Sequence, residues 1–333
     1  MIIDIHTHHL PQEFIEDMRN GQIDFGAKIV QNSNGNEIIK HTSNLAYPLL
    51  KSYFDQESRF LDMDKRSIDI EVISIFPGFF GYNLEVGRAK WASRTANESI
   101  AKMVHASKRF LGFGTLPLQS IQDSLDELKY LIDNLGLNGI EIGTHVKEMG
   151  IWDPYMFPVY ELANDIGLVI FVHPNMGVHL QALKQYYLGN IIGHPLATTI
   201  AINHLICGGV IEHYPDIKWV FSHAGGFFPY QWGRLEHGYK VRPEVQKNIK
   251  LPPNKYLDKI YCDTISHYSP ALNYIVDILG SNNLLLGSDY PFDMADFDPV
   301  NTVNQVAGLD AEVKRKILGL NARNLFGIIN RNS

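Results

Sequence analysis

The sequence predicts an α/β protein built as a (β/α)8 TIM barrel with a small insertion after its first strand, and three observations predict it. Eight short, apolar, β-rich runs recur along the 333 residues, at 2–5, 71–75, 112–115, 139–142, 168–172, 218–222, 259–262 and 283–287. Longer segments of helical period separate them, as parallel neighbours require crossover connections. The turn after the first run reads His6-Thr7-His8-His9. An open doubly wound sheet, the competing arrangement, wants a glycine-rich phosphate turn there.

In chain order, the first run is followed by a polar segment, 21–44, rich in Asn and Gly. Weak alternation at 28–31 and 37–41 makes this segment a small inserted hairpin with its turn at Asn34-Gly35. Helices are expected at 58–67, 88–107, 121–135, 156–166 and 197–206, then at 311–318 and 322–326 after the last strand. Phe79, Phe80, Tyr82, Phe227, Phe228, Tyr230, Trp232 and Phe292 fall in stretches that read as loops near the rim. With no internal repeat, residues 1–333 read as a single barrel domain.

An apolar share of 45% and a charged share of 20% are those of a soluble globular chain. The formal net charge of −7 argues against a non-specific nucleic-acid binder, which needs clustered Lys and Arg. No apolar run approaches the ~20 residues that span a bilayer. Cys207 and Cys262 are too far apart in sequence for a close metal-binding pair and too few for a disulfide framework. A reducing, cytoplasmic setting is expected.

The chemistry sits where the runs end. His6 and His8 lie two apart in extended chain, so both imidazoles face one side. His173 ends the run 168–172, His223 ends 218–222, and Asp289 follows 283–287. In a barrel, all C-terminal strand ends converge on one rim, and that rim carries the active site. Three imidazoles and a carboxylate suit Zn2+, and also iron, manganese or cobalt. His6, His8, His173 and Asp289 are therefore candidate ligands of one ion. His223 is the candidate general acid/base, because a neutral-range pKa suits proton transfer. Asp289, the one carboxylate of the set, is a second candidate proton carrier. Glu141 and Lys147, near the fourth run, are not convincingly placed to bridge a second metal. His9, His145, His179 and His194 read individually as structural.

Seven segments together resemble a known family: 1–8 with Pro11, GTLPLQ at 114–119, GTHV at 143–146, FVHP at 171–174, ATTIAI at 197–202, SHAGG at 222–226 and GSDYPF at 287–292. They resemble the aminocarboxymuconate-semialdehyde decarboxylases of the amidohydrolase superfamily, nearly from end to end. The resemblance implies zinc on His6, His8, His173 and Asp289, with His223 as catalytic base. It also implies a homodimer in which Arg234, within 228–234, reaches the neighbouring subunit's site to hold a substrate carboxylate. The chain departs from the family at two substrate-contact positions. Tyr47 stands where a second arginine is expected, before the segment 54–59, and Tyr187 stands for a tryptophan. Phe292 belongs to the aromatic rim that would wall a flat substrate.

The expected activity is non-oxidative decarboxylation of an unsaturated or aromatic carboxylic acid. A metal-dependent hydrolase of a lactone, amide or ester is the alternative, since both need a Lewis acid, a water and one base. A hydratase, or a metal-stabilised binding protein, explains less of the residue set.

Overall fold

The computed structural model describes residues 1–42, 46–175 and 181–328. Eight parallel strands run in sequential order around the sheet. They are β1 (Ile3–His9), β2 (Ile70–Ile75), β3 (Phe110–Gly114), β4 (Gly139–Ile142), β5 (Val169–Val172), β6 (Lys218–Phe221), β7 (Ile260–Asp263) and β8 (Leu284–Leu285). The sheet returns on itself: Ile5 N–H donates to Leu286 O at 2.9 Å, His8 N–H donates to Tyr290 O at 2.7 Å, and Thr7 bridges Tyr290 in parallel register. That closure makes a barrel and removes the open-sheet alternative.

Ile3, Ile5, Val72, Phe113, Phe171 and Val220 pack into one apolar cluster with Leu285. Ala322 and Leu325, from the helix Asn321–Leu325, belong to the same cluster and close it at one end. A larger cluster lies between the strands and the surrounding helices. Burying apolar area at ~25 cal/mol per Å2 is what holds strands and helices together.

A β-bulge aims the first two candidate ligands. Ile3 and Asp4 pair with Ile70 and Glu71, but Thr7 pairs with Ile73, so β1 carries one extra residue between Asp4 and Thr7. In an unbroken strand Ile5 and His6 would face opposite sides. The extra residue re-aims the chain, so Ile5 joins the apolar cluster while His6 and His8 face the other candidate ligands.

Several expectations need correction. The insertion is a three-stranded antiparallel sheet, Ala27–Gln31, Glu37–His41 and Ala46–Pro48, so it extends beyond 44; positions 43–44 lie outside the described residues. Its first loop is five residues long rather than a two-residue turn. Asn32 Oδ1 accepts from the backbone N–H groups of Asn34 and Asn36, at 2.9 and 3.0 Å, and Gly35 supplies a φ of 78°. The stretch around Phe228, Tyr230 and Trp232 is helix Phe228–Val241, not loop. Pro229 occupies the tolerated first turn, while Gly233 and Gly238 mask the helical period in the sequence. Helices Gln12–Asn20 and Ser269–Leu279 were likewise not anticipated.

Candidate metal centre

His6 and His8 lie in the C-terminal half of β1, His173 follows β5, and Asp289 follows β8 with a φ of 64°. One potential ligand atom from each of these four buried residues lies within 4.8 Å of all the others. His6 Nε2 is 3.0 Å from His8 Nε2, and Asp289 Oδ1 is 3.2 and 3.0 Å from those two nitrogens. His173 Nε2 is buried and has no hydrogen-bond partner.

The other ring nitrogens explain why a cation fits. His6 Nδ1 lies 2.7 Å from Asp263 Oδ2, His8 Nδ1 lies 3.2 Å from Ile75 O, and His173 Nδ1 lies 3.0 Å from Pro174 O. All three partners are acceptors, so the protons belong on Nδ1 and the bare Nε2 lone pairs converge with a carboxylate oxygen. Four electron pairs aimed at one buried point repel one another unless a positive charge sits between them.

The electrostatics carry the same demand. Burial opposes a charge on His6, yet Asp289 and Asp263 outweigh it and push its pKa up to about 10. Burial pushes His8 down to about 4 and His173 well below the usual imidazole range. Burial also opposes the Asp289 charge, but His6 and the hydrogen bonds from His223, His6 and His8 hold it well below the usual carboxylate range. The cluster thus keeps its carboxylate ionised and two imidazoles neutral, and a divalent cation would displace the extra proton that the two aspartates otherwise hold on His6.

His223 stands beside the ligands. Its ring centroid is 4.8 Å from that of His173, and its Nε2 is 3.6 Å from Asp289 Oδ2. Asp289 therefore presents Oδ1 to the imidazole pair and Oδ2 to His223. Residues 223–226 all have positive φ, two of them glycines, and an aspartate holds this left-handed turn. Asp263 Oδ2 accepts from His223 N–H at 2.9 Å, and Oδ1 accepts from Ala224 N–H at 2.7 Å. Asp263 is the functional residue that sequence reasoning missed. It ends β7, one residue beyond the expected run, and the rule that found the other rim residues applies to it equally.

The family model for amidohydrolases matches residues 3–328. The 2-amino-3-carboxymuconate-6-semialdehyde decarboxylase of Dictyostelium discoideum is 32% identical, over 98% of this chain and 91% of that protein. The chain belongs to the amidohydrolase family. Solved structures share its architecture. The 5-carboxyvanillate decarboxylase of Sphingomonas paucimobilis superposes with a TM-score of 0.84 at 22% identity, covering 98% of this chain and 99% of that one. A dihydroxybenzoic acid decarboxylase of Polaromonas sp. JS666, solved with bound manganese and 2-nitroresorcinol, superposes at 0.80 with 20% identity over 98% and 96% of the two chains.

In this amidohydrolase an aromatic wall flanks the centre. Phe292 lies 4.9 Å from the His8 ring and 4.5 Å from Phe76, with Tyr47 at 5.9 Å and Tyr53 at 6.0 Å beyond it. Tyr47 comes from the last strand of the inserted sheet and interacts with the hydroxyl of Tyr187. Among the other histidines, His9 is within 2.8 Å of Ser99 Oγ, His145 Nδ1 is within 3.0 Å of Thr144 Oγ1, and His194 stacks beside His223 at 6.3 Å. His179 lies outside the described residues. Glu141 is buried on β4, 4.0 Å from His8 Nδ1 and outside the four-residue cluster. Burial raises its carboxyl well above the usual range. Arg234 is exposed on the helix Phe228–Val241 and does not enter the four-residue cluster of its own chain.

Proposed function

We propose that this amidohydrolase is a metal-dependent carboxy-lyase that removes CO2, without oxidation, from an unsaturated or aromatic carboxylic acid. The observation that carries this reading is the coupling of the four-residue ligand cluster to His223 through the two oxygens of Asp289, against the wall made by Phe292 and Phe76. The activity named for these three relatives, decarboxylation, accords with it.

His6, His8, His173 and Asp289 would hold one divalent ion. We propose zinc, since three imidazole nitrogens and one carboxylate oxygen suit it, while manganese in the Polaromonas structure marks an accessible substitute. When bound, the ion supplies a Lewis acid beside the departing carboxylate. His223 Nε2 delivers a proton to the carbon that loses CO2. The C–C bond breaks, its electron pair stays on that carbon, and the proton from His223 takes up the pair. Asp289 Oδ2, 3.6 Å away, steadies the imidazolium before that transfer and stands as the second proton carrier. Phe292 and Phe76 keep water from the carbanion-like centre and stack on a flat substrate.

Within this reading the whole of 1–333 works as one domain, with the inserted sheet as a wall of its pocket. The working unit is a homodimer. The exposure of Arg234, next to Tyr230 at 79% exposure, supports an arginine that holds a substrate carboxylate across the interface. The compartment is the cytoplasm, in keeping with two free cysteines. Among the described residues no helix is long and apolar enough to cross a membrane.

The test loads purified protein with Zn2+ and screens ring and dienoic carboxylic acids for CO2 release, with His223→Ala as control and lactones and esters as counter-substrates. CO2 release that disappears in the variant is expected. Hydrolysis of esters or lactones without CO2 would overturn the reading.

A further inference from the structure

The barrel closes along one seam, where β1 meets the chain that leaves β8, and two of the four candidate ligands stand on its two sides. His6 belongs to β1 and Asp289 follows β8. Asp289 has a φ of 64°, a left-handed conformation that a residue other than glycine keeps only where its surroundings impose it. On the other side, the β-bulge between Asp4 and Thr7 leaves Ile5 and His6 without paired residues on β2. Both ligands therefore need a hold that regular strand pairing does not supply.

The fully buried Asp4 supplies it from one carboxylate. Its Oδ1 accepts the backbone N–H of His6 at 3.2 Å and that of Ser288 at 3.0 Å. Its Oδ2 accepts the Ser288 O–H at 2.5 Å and an N–H of Arg66 Nη1 at 3.3 Å. Ser288 Oγ in turn accepts the N–H of Tyr290 at 3.2 Å, so both chain neighbours of Asp289 are tied to Asp4. Asp289 N–H donates to His6 O at 2.9 Å, which completes a circuit from one ligand's backbone to the other's. Arg66 lies 3.8 Å from the centre of the Tyr290 ring and holds the carboxylate from behind. The 3.2 Å separation of His6 Nε2 from Asp289 Oδ1 stands on this circuit.

We propose that Asp4 is a positioning residue of the metal centre, setting His6 and Asp289 at one coordination distance by tying their backbones together across the seam. The inference rests on the single-ion reading of the four-residue cluster. The two oxygens of Asp4 have separable tasks. Oδ1 places the two backbones, and Oδ2 anchors the carboxylate to Arg66. An amide at this position keeps the first task through its carbonyl oxygen, but its NH2 meets Arg66 donor to donor.

The experiment loads the full-length chain with Co2+ and reads the visible absorption of the bound ion, with Zn2+ affinity measured by competition with a chromogenic chelator. Asp4→Ala should weaken Zn2+ binding by about 10–100-fold, the usual weight of an outer partner, and should shift the cobalt bands. Asp4→Asn should melt at a lower temperature than wild type and yet keep the wild-type bands and most of the affinity. Glu127→Gln breaks a buried cluster with Arg94 and Asn97 between two outer helices, so it should lose stability and leave both readings at wild type. Ser288→Ala removes the hydroxyl that links Asp4 to Tyr290 and should shift the bands in the same direction as Asp4→Ala. Wild-type bands and affinity in Asp4→Ala, or in Ser288→Ala should Asp4→Ala fail to fold, would overturn the proposal. So would equal losses in Asp4→Asn and Asp4→Ala, or a loss of affinity in Glu127→Gln as large as theirs. A wild-type chain that binds neither Co2+ nor Zn2+ would overturn the metal reading itself, and the role of Asp4 with it.

Discussion

Asp263 accepts a hydrogen bond from His6 Nδ1 at 2.7 Å, with both side chains fully buried. The same carboxylate accepts the backbone N–H groups of His223 and Ala224, so one residue sets both a candidate ligand and the candidate base. Outer partners of this kind are typically worth about 10–100-fold in metal affinity. Asp263→Ala should weaken zinc binding by that factor, measured by competition with a chromogenic chelator, and should lower turnover more than affinity. Affinity equal to wild type would remove Asp263 from the site.

Arg59 is fully buried and sits behind β1. It donates from Nη1 to His8 O at 2.7 Å and from Nη2 to Thr7 Oγ1 at 2.9 Å, while pairing with Glu71 at 2.7 Å. Arg66 pairs with the other Glu71 oxygen at 2.5 Å and reaches Asp4 Oδ2 at 3.3 Å. Removing Arg59 leaves Glu71 with Arg66 alone and takes a donor from His8 O and Thr7 Oγ1, and breaking a buried pair typically costs about 3–5 kcal/mol. Arg59→Met should lower unfolding stability by about that amount in urea titration. Because Glu71 also pairs with Arg66, the double variant Arg59→Met/Glu71→Gln should lose further stability, and a double variant as stable as the single one would show that Glu71 contributes nothing beyond its pair with Arg59.

His223 touches the ligand cluster without belonging to it. His223→Ala should leave metal content at the wild-type level by plasma mass spectrometry and reduce turnover by roughly 10^2–10^4, the usual contribution of a positioned acid/base. Loss of the metal in this variant would make His223 a ligand instead.

His41 lines the inserted sheet beside Tyr47, with ring centroids 5.8 Å apart, and burial lowers its pKa. Its folded-state value lies below its unfolded one, so the stability it supports is present above ~6.5 and is lost progressively as pH falls from there through the lower folded value. Thermal melts of wild type should decline below that pH, and His41→Leu should decline less. Parallel pH profiles would remove His41 as the cause.

Much of the site was legible because the histidines and Asp289 end apolar runs, and a closed barrel brings all such ends to one rim. The bulge in β1 was not legible: Ile3, Ile5, His6 and His8 obey no single alternation, and the extra residue appears only in the pairing with β2. Asp263 escaped because the seventh run was ended at Cys262. The role of Arg59 escaped because a charged residue on a short helix reads as solvated, and its full burial follows from contacts with Thr7, His8 and Glu71 far along the chain. The helix carrying Arg234 was hidden by its proline and glycines, whose cost to a helix is offset by packing that the sequence does not display.

The most direct test is metal stoichiometry of purified protein against a His173→Ala variant, with an X-ray absorption spectrum of the loaded wild type. One divalent ion per chain is expected, with a first shell of nitrogen and oxygen and no sulfur, falling to a small fraction of an equivalent in the variant. Two ions per chain, a sulfur ligand, or full occupancy without His173 would contradict the assignment of His6, His8, His173 and Asp289 to a single centre.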